Sequence, residues 1–406
     1  MVLPVSRRLL LVLAALPLVL VACGLHGDQP ARPSAPAPTT LLTASAERST
    51  RFAASPSTSR VAVPERPATS KVPSDTRRLK LLRTITGHIS PKSVVASGTG
   101  LVLAQNMMYR HTITVYDRSH RLVRTIPDSV RLADHGLGGG RVRGAPVEAA
   151  FSPDGRYAYV SNYSMYGPGY RRAGSDVCSP ADGYDTSFVY RVDTTRLVID
   201  RVIPVGSVPK FVAVTPDGRL LLVTNWCSYS LSIVDTRTGR QVRQLPLGRY
   251  PRGIAVDPVS RTAYVAVMGS RDIAVVDLGD FDVDWVRGVG AGPRHLVMDP
   301  AGRYLYVTLN GEGTVAKLRL ADRRVLLRQA TGSAPRSMTV APDGRSLYVV
   351  NYDSDTVSKV RARDLRVTQT VPANHHPIGI TYDPATAQVW VACYSGSVMV
   401  FRDAPA

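Results

Sequence analysis

The 406-residue chain has only four cysteines, too few for a small scaffold stapled by disulfides. A single long apolar run, at the extreme N-terminus, excludes a protein that crosses a bilayer many times. None of the eight histidines stands at H-x-H or H-x-x-x-H spacing from another, so no metal-binding signature is present. Between residues 77 and 403 there are just two glutamates, Glu148 and Glu312, a thin supply of carboxylates for acid–base work. The aspartates there fall mostly in P-D-G and D-P turns, where they cap backbone. No catalytic residue, metal or cofactor is assigned.

What is there starts with 44% hydrophobic and 20% charged residues, enough apolar surface for a sizeable core. Lys and Arg number 50 against 31 Asp and Glu, a formal charge of +19. That balance favours anionic partners, unless a general preference for Arg inflates it without any ligand.

The first segment reads as an address. Arg7 and Arg8 form a positive n-region ahead of the apolar stretch Leu9 to Val21, which suits a signal peptide better than a spanning helix. It ends in Leu20-Val21-Ala22-Cys23. A small residue before a cysteine here resembles the bacterial lipobox, implying cleavage after residue 22 and a lipid anchor on Cys23. The other reading is an ordinary secretory signal with an incidental cysteine. Ser6-Arg7-Arg8-Leu9 also resembles a twin-arginine export signal, leaving the export route open. Residues 23–76 are rich in Pro, Ala, Ser and Thr, without periodicity, and are expected to form a disordered tether spanning roughly 40 Å or more.

The rest is a repeat. SPDGRYAYVSNY (152–163), TPDGRLLLVTNW (215–226), DPVSRTAYVAVM (257–268), DPAGRYLYVTLN (299–310), APDGRSLYVVNY (341–352) and DPATAQVWVACY (383–394) align, with a degenerate copy at 96–107. A phase marker falls at Asn106, Asn162, Asn225, Val267, Leu309, Asn351 and Cys393, the last four intervals being 42 residues each. The first two intervals carry insertions. Each unit holds four short strands rich in Val, Ile and Tyr, separated by turn chemistry, which is the pattern of a propeller blade rather than of a helical repeat. Pro91, Pro146, Pro209, Pro251, Pro293, Pro335 and Pro377 open seven first strands. The last unit lacks a fourth strand, and Leu79–Ile85, ahead of the first unit, is a fourth strand without a blade. The expected fold is all-β: a seven-bladed propeller over residues 77–403, closed by the N-terminal strand completing the last blade.

Over residues 78–403 these units resemble the YVTN family of β-propeller repeats, with the motif core at Tyr159–Asn162 and Tyr348–Asn351 and a close copy at Leu222–Asn225. Val267, Leu309 and Cys393 depart from its Asn. The resemblance implies a secreted or cell-surface protein and leaves the function open.

In such a ring the residue after each opening Pro nears the channel mouth. Five of the seven are basic (Lys92, Lys210, Arg252, Arg294 and Arg336), the others being Val147 and Ile378. They form either an anion-attracting funnel or a repeated ion pair between blades. The insertion at 128–145 contains Gly138-Gly139-Gly140 without the Gly-Lys-Ser/Thr end of a P-loop, and reads as a lid or linker. The insertion at 163–187 carries Tyr163, Tyr166, Tyr170 and Arg171; with Trp226 in the next blade, these suit sugars or stacked bases, or simple packing. Cys178 and Cys227 fall in neighbouring loops and are expected to form a disulfide, with Cys393 a buried thiol. The histidines at 88, 111, 135, 295, 375 and 376 are placed in loops, with His375 and His376 diverging.

The expected function is a membrane-tethered, monomeric binding propeller for an anionic glycan, a cell-wall polymer or a surface protein. Alternatives are a lactonase- or lyase-type enzyme, as other seven-bladed propellers are, and a nucleic-acid binder.

Overall fold

The computed structural model describes residues 72–163 and 177–405, with the side chain of Tyr163 left out. Cys23, the leader and most of the tether, together with Tyr166, Tyr170 and Arg171, lie outside the described residues. Among the described residues no helix is long and apolar enough to cross a membrane.

Seven four-stranded antiparallel sheets follow one another along the chain. The innermost strands are Ser93–Ala96, Ala145–Phe151, Pro209–Val214, Pro251–Val256, Pro293–Met298, Pro335–Val340 and Pro377–Asp383, numbered here as blades 1 to 7. Each innermost strand contacts that of the next blade, and blade 7 contacts blade 1, so the ring is closed. The seam is the expected one. The N-terminal strand Arg77–Ile85 pairs antiparallel with Ser397–Pro405, with Arg77 opposite Pro405, and forms the outer strand of blade 7.

The apolar core lies between blades, not within them. Every blade has two buried faces, so its middle strands read as near-continuous apolar runs whose alternate residues serve different neighbours. In Ser346–Asn351, Leu347 and Val349 pack with blade 5 residues, whereas Tyr348 and Val350 pack with blade 7 residues. Seven such inter-blade clusters exist, one per junction. The P-D-G turns cap as expected: Asp217 accepts the Arg219 N–H at 3.0 Å while Gly218 takes a φ of +75°.

The first insertion is more ordered than a linker. Ser129–Arg131 and Arg141–Arg143 form a two-stranded ribbon, and Val130 and Leu132 anchor it against Tyr190 and Val202. Burial of those two apolar residues, which the triglycine obscured in the sequence, holds the ribbon down.

Candidate functional site

Three repeated local features build the channel mouth. The residue before the opening Pro has a positive φ in blades 3 to 7: Val208, Tyr250, Gly292, Ala334 and His376. This aims its carbonyl at the N–H of the residue after the phase marker, as in Val208 to Trp226 (2.9 Å), Tyr250 to Met268 (3.0 Å) and Ala334 to Tyr352 (3.1 Å). Just after the proline, the register of the innermost strand slips in blades 2 to 7. Such bulges re-aim side chains. Finally, the Ser or Thr before the marker ties one blade to the next. Ser161 donates to the Lys210 carbonyl at 2.8 Å, and Thr224 to the Arg252 carbonyl at 2.9 Å.

The marker asparagines are structural. Asn225 donates its amide to Ser230 and Ser232 at 3.1 and 2.9 Å, and Asn351 does the same to Thr356 and Ser358. Where Val267, Leu309 and Cys393 replace Asn, the position is buried among apolar groups. Burial pushes the free Cys393 thiol up to about 12, leaving it unreactive.

The residues after the markers form a collar that repeat alignment alone did not single out. One apolar cluster draws Met107 from blade 1, Val147 and Cys178 from blade 2, Trp226 and Cys227 from blade 3, Met268 from blade 4 and Tyr394 from blade 7. Only the ring axis brings such distant residues together. The Cys178–Cys227 disulfide is present and ties the long loop of blade 2 to blade 3. Trp226 stacks on Tyr250 with ring centroids 4.4 Å apart, and Tyr352 stacks on His376 at 4.1 Å. His375 continues that column at 3.6 Å from His376 instead of diverging, because His376 adopts the left-handed turn before Pro377 and Asp355 holds His375 Nδ1 at 2.9 Å.

The five cations converge on the same axis. Lys92, Lys210, Arg252 and Arg294 are buried, and Arg336 is partly so. Two of them follow the inter-blade pairing considered from the sequence. Lys92 Nζ lies 3.1 Å from Glu148 Oε1 of blade 2, and Arg294 Nε donates to the Arg336 carbonyl at 3.1 Å. Lys210 sits 5.5 Å from the Trp226 ring centre. Arg252 and Arg336 do not follow that pairing. Arg252 is 5% exposed, its guanidinium has neither hydrogen bond nor ion pair among the described residues, and it lies 5.7 Å from the Trp226 centroid. Arg336 covers the Tyr352 ring at 4.1 Å and leaves Nε buried with no acceptor. Burial, then the repulsion of Arg252, lowers the pKa of Arg336.

Deeper in the ring is a group that the sequence offered only as scattered residues. Burial pulls Lys92 down to about 7; Glu148 opposes this, and Arg252 and Arg294 add to it. His295 lies within the innermost strand of blade 5 rather than in a loop, brought there by the slip between Pro293 and His295. Its Nδ1 accepts the Met338 N–H at 2.9 Å with the Ser337 hydroxyl at 2.8 Å, so the ring proton sits on Nε2. Burial lowers its pKa to about 4 despite Glu148, with Arg252, Arg294 and Lys92 contributing, and the imidazole is neutral at neutral pH. No group of three or more His, Cys, Asp or Glu among the described residues is arranged to hold a metal ion.

Fold and mouth together define a seven-bladed β-propeller with a cationic channel under an aromatic collar. Among solved structures, the chain is similar to hydrazine synthase of Kuenenia stuttgartiensis, with a TM-score of 0.62 and 20% identity over 79% of this chain and 98% of that one. At that identity the likeness concerns the fold alone. No family model matches the chain, and no curated protein does.

Proposed function

We propose that this protein is an exported, lipid-anchored propeller of the YVTN type that binds an anionic ligand at its channel mouth without turning it over. The supporting observation is Arg252. Its guanidinium is buried with no ion pair among the described residues; such a group is costly, and an anion from outside is the partner that would offset that cost. Arg336 adds a partly buried guanidinium whose Nε has no acceptor among the described residues, and the faces of Trp226 and Tyr352 beside the two arginines suit the flat apolar side of a sugar ring. An acidic glycan or cell-wall polymer fits this combination, and so does an acidic segment of a surface protein. The lipobox at Cys23 and the Pro-rich segment after it would keep the mouth near the cell envelope.

The test is an array of uronate-bearing, sulfated and neutral glycans probed with the wild type and with Arg252→Gln/Arg336→Gln. Acidic glycans should be retained, with binding weakened by salt, and the double variant should lose at least tenfold. Equal binding by the double variant, or retention of neutral glycans only, would remove the proposal.

A further inference from the structure

Four lysines among the described residues are buried: Lys92, Lys210, Lys317 and Lys359. Two of them are plainly structural. Lys317 Nζ donates to the Ala362 and Arg363 carbonyls at 3.0 Å each, and Lys359 Nζ donates to the Arg77 carbonyl at 2.9 Å and to Asp403. Lys92 is different. Its Nζ has one acceptor among the described residues, Glu148 Oε1 at 3.1 Å; Glu148 acts also on the neutral His295, while Arg252 and Arg294 repel the charge of both. Lys92 immediately precedes the innermost strand of blade 1, and the others lie in the innermost strands of blades 2, 4 and 5, so all of them sit on the inner edge of the ring. A lysine amine buried beside other cations, with Glu148 as its one acceptor among the described residues, is an amine poised as a nucleophile more than a structural ammonium.

We infer that Lys92 captures a carbonyl group of the anionic ligand as a reversible imine, so that the ligand class is an acid bearing an aldehyde or ketone, such as the reducing end of an acidic glycan. The inference rests on the anion-binding reading, because Arg252 and Arg336 would hold the acid group while the carbonyl meets Lys92. The neutral Nζ attacks the carbonyl carbon and forms the C–N bond. Glu148 relays in turn the two protons that the nitrogen sheds, the first to the carbonyl oxygen, which becomes a hydroxyl, and the second to that hydroxyl as it departs. Water leaves, and the C=N bond remains; nothing is oxidised or reduced. The lowered pKa of Lys92 gives a sizeable neutral fraction at neutral pH, which an exposed lysine lacks.

The experiment uses the whole protein with glyoxylate, the smallest anionic aldehyde, or with propanal, its neutral counterpart. Sodium cyanoborohydride supplies the hydride that reduces the imine to a stable amine, and peptide mass mapping locates the label. Lys80, which is exposed, is the internal reference. At pH 7, glyoxylate should label Lys92 at least tenfold faster than Lys80, with a pH profile for Lys92 that levels off one to two units above about 7 while that of Lys80 keeps rising. Arg252→Gln should slow labelling by glyoxylate and leave labelling by propanal unchanged. Labelling of Lys92 no faster than Lys80 with both aldehydes overturns the inference and leaves the anion reading standing. Fast labelling of Lys92 that ignores Arg252→Gln supports the lysine chemistry and overturns the anion reading instead.

Discussion

The seam of the ring and the mouth of its channel both bury cations, and they treat them in opposite ways. At the seam, Lys359 is 0% exposed, yet its ammonium meets Asp403 and the Arg77 carbonyl. Asp403 in turn accepts the Tyr348 hydroxyl at 2.7 Å and faces Arg77 at 3.8 Å. Every charge there has its complement inside the chain. At the mouth, one glutamate pairs with Lys92, while among the described residues neither the Arg252 nor the Arg336 guanidinium forms an ion pair. Burial of a charge is therefore not in itself a sign of a site; an incomplete set of partners is.

That contrast can be broken first at the seam. Asp403→Ala leaves Lys359 buried without its carboxylate and should cost about 3–5 kcal/mol in denaturant unfolding. A loss under 1 kcal/mol would mean that the seam is no better satisfied than the mouth. The paired change Lys359→Met/Asp403→Leu should recover most of that loss.

Lys92 can be tested through pH. Its folded pKa lies near 7, below the ordinary 10.5 of the unfolded chain, so between those values the unfolded state holds a proton that the folded state has given up. The penalty is complete below pH 7 and fades as pH rises toward 10.5. Wild-type stability minus that of Lys92→Met should rise over that window by a few kcal/mol, other titrations cancelling in the difference. A flat difference would mean that the Lys92 ammonium keeps its proton throughout that window, against its reading as a poised amine.

The Cys178–Cys227 bond closes a sequence separation of 49 residues, and Cys178→Ser/Cys227→Ser should cost about 2–4 kcal/mol. It should also weaken glycan retention, because Trp226 is the residue next to Cys227. Undiminished stability would show that the packed cluster around the bond is sufficient alone. The smallest expected effect on folding is the most informative about the mouth. Arg252→Gln should leave stability within about 1 kcal/mol of wild type, or raise it, since it removes a buried charge without a partner. A loss of several kcal/mol would mean that the guanidinium is structural after all.

Much of the ring was legible because each of its rules acts over a few residues. The 42-residue phase, the turns and the lone strand Leu79–Ile85 all state local preferences, and closure follows from counting them. The disulfide was legible too, since adjacent blades place equivalent loops side by side. The collar was half legible: Trp226 stood out, whereas Met107, Met268, Tyr352 and Tyr394 lie one residue past a marker and differ chemically from blade to blade. The Lys92–Glu148 pair and the position of His295 were not legible. The group is gathered from several blades, and Glu148 and His295 are placed by register slips that no sequence pattern announces.

The placement of the closing strand also decides how the molecule bears a load. Arg77 faces Pro405 at one end of the Arg77–Ile85 strand, so a pull applied ahead of residue 72 would peel that strand bond by bond, the weakest mode for a sheet. Two clasps stand in front of the peel. The Ser74 amide and hydroxyl grip Asp343 of blade 6 at 2.8 and 2.6 Å, and the Arg77 guanidinium grips the Val72 carbonyl and Tyr382. Tension arriving from ahead of residue 72 would thus be passed sideways into blades 6 and 7 before the zipper feels it, as a knot spares the seam of a bag.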